Sequence, residues 1–449
     1  MLAALRGMAM DNVFRVISGF TASLGSLFFA LMENTFPLQM ERQLESKVKD
    51  IQACGGHKPT AAIFLPMSIS PLLPSLRILH AEAATGLGGQ ERRILKEMAA
   101  MRERGHHLEL ICQPQAQMAA KAAELGFTVH HLPMGGMGNL LRGLPQIRRI
   151  LKEGRFDVLN THSRIDTLLA GTGARLARTP LVVRTRHLSN RVNSMLAYTW
   201  VPHRISTVSN HVRDYLIERG VPSARVETIY SPIKLPPADL QSTLRTELGL
   251  SPQDIVICSV AVLRATKGHP ELIEALHPLI KADARVHLVI VGNGSPMFET
   301  LQTQIRERGL QGRIHMLGFR DDVPNIMAGS DIFALPTRKE ASGTVFVEAA
   351  ACGLPVVGLD VGGVSEMLHD GETGMLVPPD DITALRAALQ RLIDEPQLRL
   401  SMGQAGKQRV RGEDKFSLRR LAERTESVYR RWLNEVAPTR FASAKHQTQ

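Results

Sequence analysis

Two glutamates, Glu340 and Glu348, stand eight positions apart in KEASGTVFVEAAACGLPVV (339–357), one before and one inside an apolar run. Carboxylates accept hydrogen bonds and so read hydroxyl groups, as on a sugar or a ribose. Between them, Ser342 or Gly343 is placed to cap a helix whose first-turn N–H groups would face phosphate oxygens. Upstream, AVLRATKGHPELIEA (261–275) puts Arg264 and Lys267 in a strand-to-helix loop. Two cations beside a helix start can hold a diphosphate and stabilise its charge as it leaves. Glycine loops at VGNG (Gly292, Gly294) and GLGGQE (Gly88, Gly89) would let backbone approach a phosphate or sugar closely. The second of these lacks the GxGxxG spacing, which argues against a dinucleotide cofactor. Each feature also has an ordinary reading when taken alone: a solvated helix charge, a basic loop, a tight turn.

Such groups need a scaffold. From Arg77 onward, strand-like stretches (RILHAE, HHLELIC, FTVHHLP, DVLNTH, LVVRTRH, RISTVS) alternate with helical ones. Helices between strands indicate βαβ units and a parallel, doubly wound sheet. YSPIKLPPADL breaks the pattern with three prolines, and residues 231–240 read as a hinge linker. The alternation then restarts, with LPVVGLD the last clear strand and long helices at 382–394 and 416–435. The expected organisation is an α/β domain at 77–230 and a second at 241–415. The C-terminal helix 416–435 is free to cross back to the first domain, and 436–449 reads as a disordered tail. Open α/β sheets bind ligands beyond the carboxyl ends of their strands, so two of them put the site in the cleft between.

Composition narrows the partners. The chain has 449 residues, 44% hydrophobic and 22% charged, which is globular and long enough for two cores. Its four cysteines are far apart, which fits a reducing cytoplasm and excludes a disulfide framework. Residues 77–230 hold 22 Lys/Arg against 12 Asp/Glu and so carry +10 of the net +11. That segment is expected to meet something anionic. Aromatic residues are only 4% of the chain and no nucleic-acid motif is present, so nucleic acid is not expected as a partner. Basic and apolar faces alternate in GGQERRILKEMAAMRERG and LPQIRRILKEGRF, as suits docking on anionic lipid or simply a core-facing helix. Residues 1–76 fit poorly with the rest. Their apolar stretch Val16–Met32 reads as an interfacial anchor, a single span, or part of an extension upstream of a true start near Met67.

The ordered set of motifs resembles the family 4 glycosyltransferases of the retaining, GT-B class. The E-x7-E element is matched by Glu340 and Glu348, followed by CGLPVV, DVGGVSEML and DGETGMLVPPDD. GLGGQE, DVLNTHS, TVSNHV, KGH, VGNG and LGFRDDV fall upstream in the family's order, over roughly residues 77–435. The resemblance implies that Glu340 binds donor-sugar hydroxyls, Glu348 the ribose, and Lys267 the diphosphate. It implies backbone contacts from Gly343, Thr344 and Val345, a wall from Gly88 and Gly89, and His162 close to the transferred sugar. Two departures stand out. The arginine five residues before the lysine is absent, leaving Arg264 as substitute, and the H-x-H element is reduced to Asn160-Thr161-His162.

The expectation is a retaining, metal-independent transferase needing no cofactor. It would move a sugar from a nucleotide-diphosphate sugar to a hydroxyl of a glycan or lipid-linked acceptor, with lipopolysaccharide or surface polysaccharide as product. Its place would be cytoplasmic and peripheral at the inner face of the membrane. The alternatives are a nucleotide-sugar epimerase and a non-catalytic nucleotide-sugar-binding module of a glycan assembly complex.

Overall fold

The computed structural model describes residues 74–438 except Asn193, Ser194 and Ala238. The extension 1–76 with its apolar segment Val16–Met32, and the tail 436–449, lie outside the described residues but for three positions each. Two parallel sheets organise what is described. The first runs β3-β2-β1-β4-β5-β6-β7, and the second β10-β9-β8-β11-β12-β13. In the first sheet the strands are β1 Arg77–Glu82, β2 His107–Cys112, β3 Thr128–His131, β4 Val158–Thr161, β5 Leu181–Arg186, β6 Arg204–Thr207 and β7 Val226–Thr228. In the second they are β8 Ile255–Val260, β9 Val286–Val291, β10 Ile314–Gly318, β11 Ile332–Leu335, β12 Val356–Leu359 and β13 Gly374–Val377. Every pairing is parallel. Covered on both faces by helices, such strands must be apolar throughout, and VHLVIV of β9 is buried at all six positions. β1 and β5 depart from this at their carboxyl ends, where Glu82, Arg184, Arg186 and His187 are buried too. Polar groups buried at that end of a parallel sheet mark a ligand cleft.

The chain passes between the sheets twice. Ile233 in the linker donates its N–H to the Phe416 carbonyl at 2.8 Å, so the outgoing and returning segments are paired. The returning helix, Leu418–Val436, buries Leu421, Val428, Tyr429, Trp432 and Leu433 in the core of the first sheet. There the Tyr429 hydroxyl accepts from Asn160 Nδ2 at 2.8 Å. An amphipathic helix finds its stability in such packing rather than in its own propensity.

The sequence pattern misses several elements of the described region. Helix Pro396–Glu413 carries Gly403 and Gly406, which blur its periodicity. A Cβ on Gly403 would sit 2.0 Å from the Gly353 carbonyl, so the glycine is there to let this helix lie directly on helix Thr344–Cys352. β13, four residues long, and helix Asn210–Glu218 are missed too, as are the three-residue β7 and the short helices Leu196–Thr199 and Leu244–Leu248. RIDTLLAGTGARLAR folds as helix interrupted by a π-turn at Thr167–Gly171, not as one regular helix.

Candidate active site

Glu340 lies in the loop after β11 and folds back on its own backbone. Its Oε1 accepts from the N–H groups of Ala341 and Gly343, each at 3.1 Å. Its Oε2 accepts from Lys267 Nζ at 2.7 Å. The loop can turn this way because Gly343, the residue before helix Thr344–Cys352, adopts a left-handed φ of 68°. A second strand of chain presses on the same loop. Gly363 N–H donates to the Glu340 carbonyl at 3.1 Å, and a Cβ on Gly362 would stand 2.0 Å from that oxygen. Thr344 and Val345 open the helix, and their N–H groups take no partner among the described residues.

Glu348 follows on that helix and is half-buried. Burial pushes its carboxyl up from the usual range, and Lys96 on helix Gly89–Glu103 of the other lobe works against this. Arg264 is exposed and has no ion pair among the described residues. Gly292 and Gly294 cross the backbone of Ala261–Leu263 so closely that a Cβ would fall 1.8 Å from the Ala261 carbonyl and 2.2 Å from that of Leu263. These glycines let the loop after β9 lie on the segment leading to Arg264 and Lys267.

The facing lobe presents a cavity of about 570 Å³ at the carboxyl ends of β1, β4 and β5. Gly88 precedes helix Gly89–Glu103 and donates its N–H to Glu91 Oε2 at 2.6 Å, while Gly89 lines the cavity. His162 sits between two other histidines. Its Nε2 is 3.0 Å from His80 Nδ1, and its Nδ1 is 3.0 Å from His187 Nε2. The rings of His80 and His162 are stacked, with centroids 5.2 Å apart. Burial pushes all three imidazoles down, His80 to about 4, so at neutral pH the row is uncharged. Asp166 anchors the loop, accepting from the His162 and Ser163 N–H groups at 3.0 Å each.

The structure therefore brings Lys267, Glu340 and Gly343 together, with Thr344, Val345 and Glu348 on the adjoining helix. His162, Gly88 and Gly89 belong to the other lobe and make no hydrogen bond to Glu340 or Lys267. Sequence reasoning passed over Glu366, although it quoted DVGGVSEML. Its carboxylate accepts from the N–H groups of Asn210 at 2.9 Å and His211 at 2.7 Å, and from the Tyr230 hydroxyl at 2.9 Å. It thus ties the second lobe to the start of helix Asn210–Glu218 in the first. Beside this tie, Ala341 packs on Val208 and Val212. Arg184 and Arg186 escape motif reading too, although two cations spaced by two in the buried strand LVVRTR are a signal. Among the described residues no group of His, Cys, Asp or Glu is arranged to hold a metal ion, and no helix is long and apolar enough to cross a membrane.

Known proteins match this arrangement. A model of the glycosyl transferases group 1 matches residues 241–409, and one of glycosyltransferase family 4 matches residues 87–235. The Escherichia coli UDP-Gal:alpha-D-GlcNAc-diphosphoundecaprenol alpha-1,3-galactosyltransferase is 25% identical over 376 residues, covering 79% of this chain and 96% of that protein. The GDP-mannose-dependent alpha-(1-6)-phosphatidylinositol monomannoside mannosyltransferase of Mycolicibacterium smegmatis is 29% identical over 310 residues, 64% of this chain and 80% of that protein. The structure of Anabaena HepE, solved in complex with UDP, superposes with a TM-score of 0.70 at 21% identity over 79% of this chain and 99% of that one. With both lobes matched in order, the chain belongs to the family 4 glycosyltransferases, enzymes of the glycosyl-transferring class built on the GT-B fold.

Proposed function

We propose that the protein transfers a sugar, with retention of configuration, from a nucleotide-diphosphate sugar to a hydroxyl of a glycan or lipid-linked acceptor. The observation that carries this reading is the Lys267–Glu340 pair at 2.7 Å beside a helix start with free N–H groups. Relatives named for UDP-galactose and GDP-mannose donors support the nucleotide sugar. Those relatives are also named for lipid-borne acceptors, which supports lipopolysaccharide or surface polysaccharide as the product class.

Lys267 and Glu340 neutralise each other in their ion pair. On donor binding Lys267 moves to the diphosphate, with Arg264 as second cation, and Glu340 turns to sugar hydroxyls. Thr344 and Val345 N–H groups meet the distal phosphate, Glu348 the ribose, and the glycine loops at Gly292, Gly294, Gly88 and Gly89 admit the donor. The nucleotide diphosphate departs as the acceptor hydroxyl attacks the same face, and a leaving phosphate oxygen takes the acceptor proton. Neutral His162 stands near the transferred sugar as a hydrogen-bond partner. The protein contributes positioning and electrostatic stabilisation of the leaving diphosphate.

Cations rather than carboxylates face the diphosphate, so the transfer is proposed to be metal-independent and to need no cofactor. Screening nucleotide sugars for thermal stabilisation, then following turnover of the stabilising one in EDTA, tests this directly. Stabilisation and undiminished turnover are expected. No response to any nucleotide sugar would remove the transferase reading, and a strict need for Mg²⁺ or Mn²⁺ would remove metal independence.

The site of action proposed is the cytoplasmic face of the membrane, reached by peripheral docking. Support comes from the charge of residues 77–230 and from the exposed Arg142, Arg148, Arg149 and Lys152 on helix Met137–Glu153. Co-sedimentation with anionic vesicles at low salt is expected, and its absence would count against docking.

A further inference from the structure

The cavity beside His162 holds two buried cations that make no ion pair with a carboxylate among the described residues. Arg184 and Arg186 are 4% and 6% exposed, and neither makes an ion pair among the described residues. Their hydrogen bonds go to neutral groups. Arg184 donates to the Ser163 carbonyl at 2.7 Å, to Thr167 Oγ1 and to the Tyr198 hydroxyl at 2.9 Å. Arg186 donates to the same hydroxyl and to Asn190. The Nε of each has no hydrogen-bond partner among the described residues. Both guanidinium groups lie over the Tyr198 ring, at 4.2 and 5.4 Å from its centroid, which fixes the direction of their forks. Arg164 and Arg191 add two exposed cations to the lining.

The carboxylates nearby offset this charge only in part: Asp166 feels the Arg184 charge but does not pair with it. Asp166 is engaged by the backbone N–H groups of Ala83, His162 and Ser163. Glu91 serves Gly88 N–H. Glu82, also on the lining, is pushed up to about 8 by burial and then by Asp166, so at neutral pH it is largely uncharged. A desolvated guanidinium without a counter-ion is costly, and such a site is completed by an anion from outside. Four arginines against two remaining carboxylates, Asp166 and Glu91, leave an excess of two positive charges, which calls for more than a single negative charge. A phosphate or diphosphate fits, and planar guanidinium forks bind its oxygens in pairs.

We infer that this cavity binds a phosphate or diphosphate group carried by the acceptor, held chiefly by Arg184 and Arg186 with Arg164 and Arg191 at the rim. This rests on the transferase reading for the word acceptor, but the binding itself does not. Leu188 at 53% exposure lines the mouth, and Leu196 and Trp200, at 61% and 80%, flank Tyr198 on the adjoining segment. An apolar rim over a cationic pocket suits a phosphate at the end of a lipid as well as one on a soluble ester.

The test is calorimetric titration of inorganic pyrophosphate into the full chain carrying Lys267→Ala, which removes one of the two cations of the other phosphate-binding candidate and leaves Arg186→Gln to tell the sites apart. Binding is expected to persist in that protein and to weaken by about tenfold or more when Arg186→Gln is added. The pair Arg164→Gln and Arg191→Gln, on exposed side chains with no partner among the described residues, is expected to weaken it too and reads the site should Arg186→Gln impair folding. Absence of binding to the Lys267→Ala protein would overturn the assignment, as would binding unchanged by the arginine substitutions. Phosphatidate-doped neutral vesicles separate the two sources. Vesicle binding displaced by pyrophosphate supports a lipid headgroup, and binding of pyrophosphate without such displacement supports a soluble phosphoester. Donor turnover is a separate readout. Turnover without pocket binding removes this site alone, and pocket binding with no nucleotide sugar processed removes the transferase reading alone.

Discussion

Replacing Glu340 by alanine is expected to lower the transfer rate by about 10²–10³-fold, the scale seen when one positioned hydrogen-bonding group is removed from an active site. The side chain has two tasks, and the geometry separates them. One oxygen holds the turn by accepting from Ala341 and Gly343, while the other faces Lys267. Glu340→Ala loses both. Glu340→Gln keeps a carbonyl oxygen for the backbone N–H groups but loses the charge. Both variants are therefore expected to be slow, with the glutamine protein nearer wild type in thermal stability. Leaving the backbone donors of this half-buried loop unsatisfied costs about 1–3 kcal/mol, small enough for the fold to persist. Circular dichroism and initial rates on the stabilising nucleotide sugar measure the two effects apart. Turnover near wild type in Glu340→Ala would undo the placement of the donor sugar at this loop.

Lys267→Ala is expected to lose about 10²–10³-fold as well, but mainly in kcat. Negative charge on the diphosphate grows as the glycosidic bond breaks, so the ammonium binds the departing group more strongly than the resting donor. A change confined to KM would mean that the lysine only recruits the donor, and a kcat near wild type would sink its assigned role. Arg264 is exposed and carries no ion pair among the described residues, so it is placed to carry part of the load. The pair of substitutions should then cost more than Lys267→Ala alone. The ion pair spans two side chains 22% and 15% exposed, and breaking it is expected to move stability by only about 1 kcal/mol.

Much of this architecture is legible in the residues because parallel strands buried on both faces must be written as apolar runs. β9 and β12 show it plainly. What escapes does so for physical reasons. Helix Pro396–Glu413 hides behind glycines whose purpose is close packing on Gly353, a contact no local pattern records. The π-turn at Thr167–Gly171 accompanies Gly171 and Gly173, where a Cβ would press to 2.6 Å from Val201 and 2.7 Å from Ile147. Of the candidate site, the Glu340–Lys267 contact joins residues 73 positions apart, and only the resemblance pairs them in advance. The arginines of β5 were visible as charges, but their lack of a carboxylate partner is a fact of three dimensions. Glu366 was visible as a letter, and its partners lie 136 to 156 residues away.

That carboxylate has a mechanical meaning. Glu366 is three residues past Gly363, which presses on the Glu340 loop, and Ala341 from that loop rests on Val208 and Val212. A swing of the lobes about the paired crossings at Ile233 and Phe416 must strip two backbone donors and the Tyr230 hydroxyl from Glu366 before it can travel far. The same swing lifts Ala341 from its seat. The Glu340 loop is thus geared to the angle between the lobes through the Glu366 hydrogen bonds and the seat of Ala341. By thermodynamic reciprocity, a ligand that favours one angle is felt at the loop, and a ligand gripping the loop is felt at the angle.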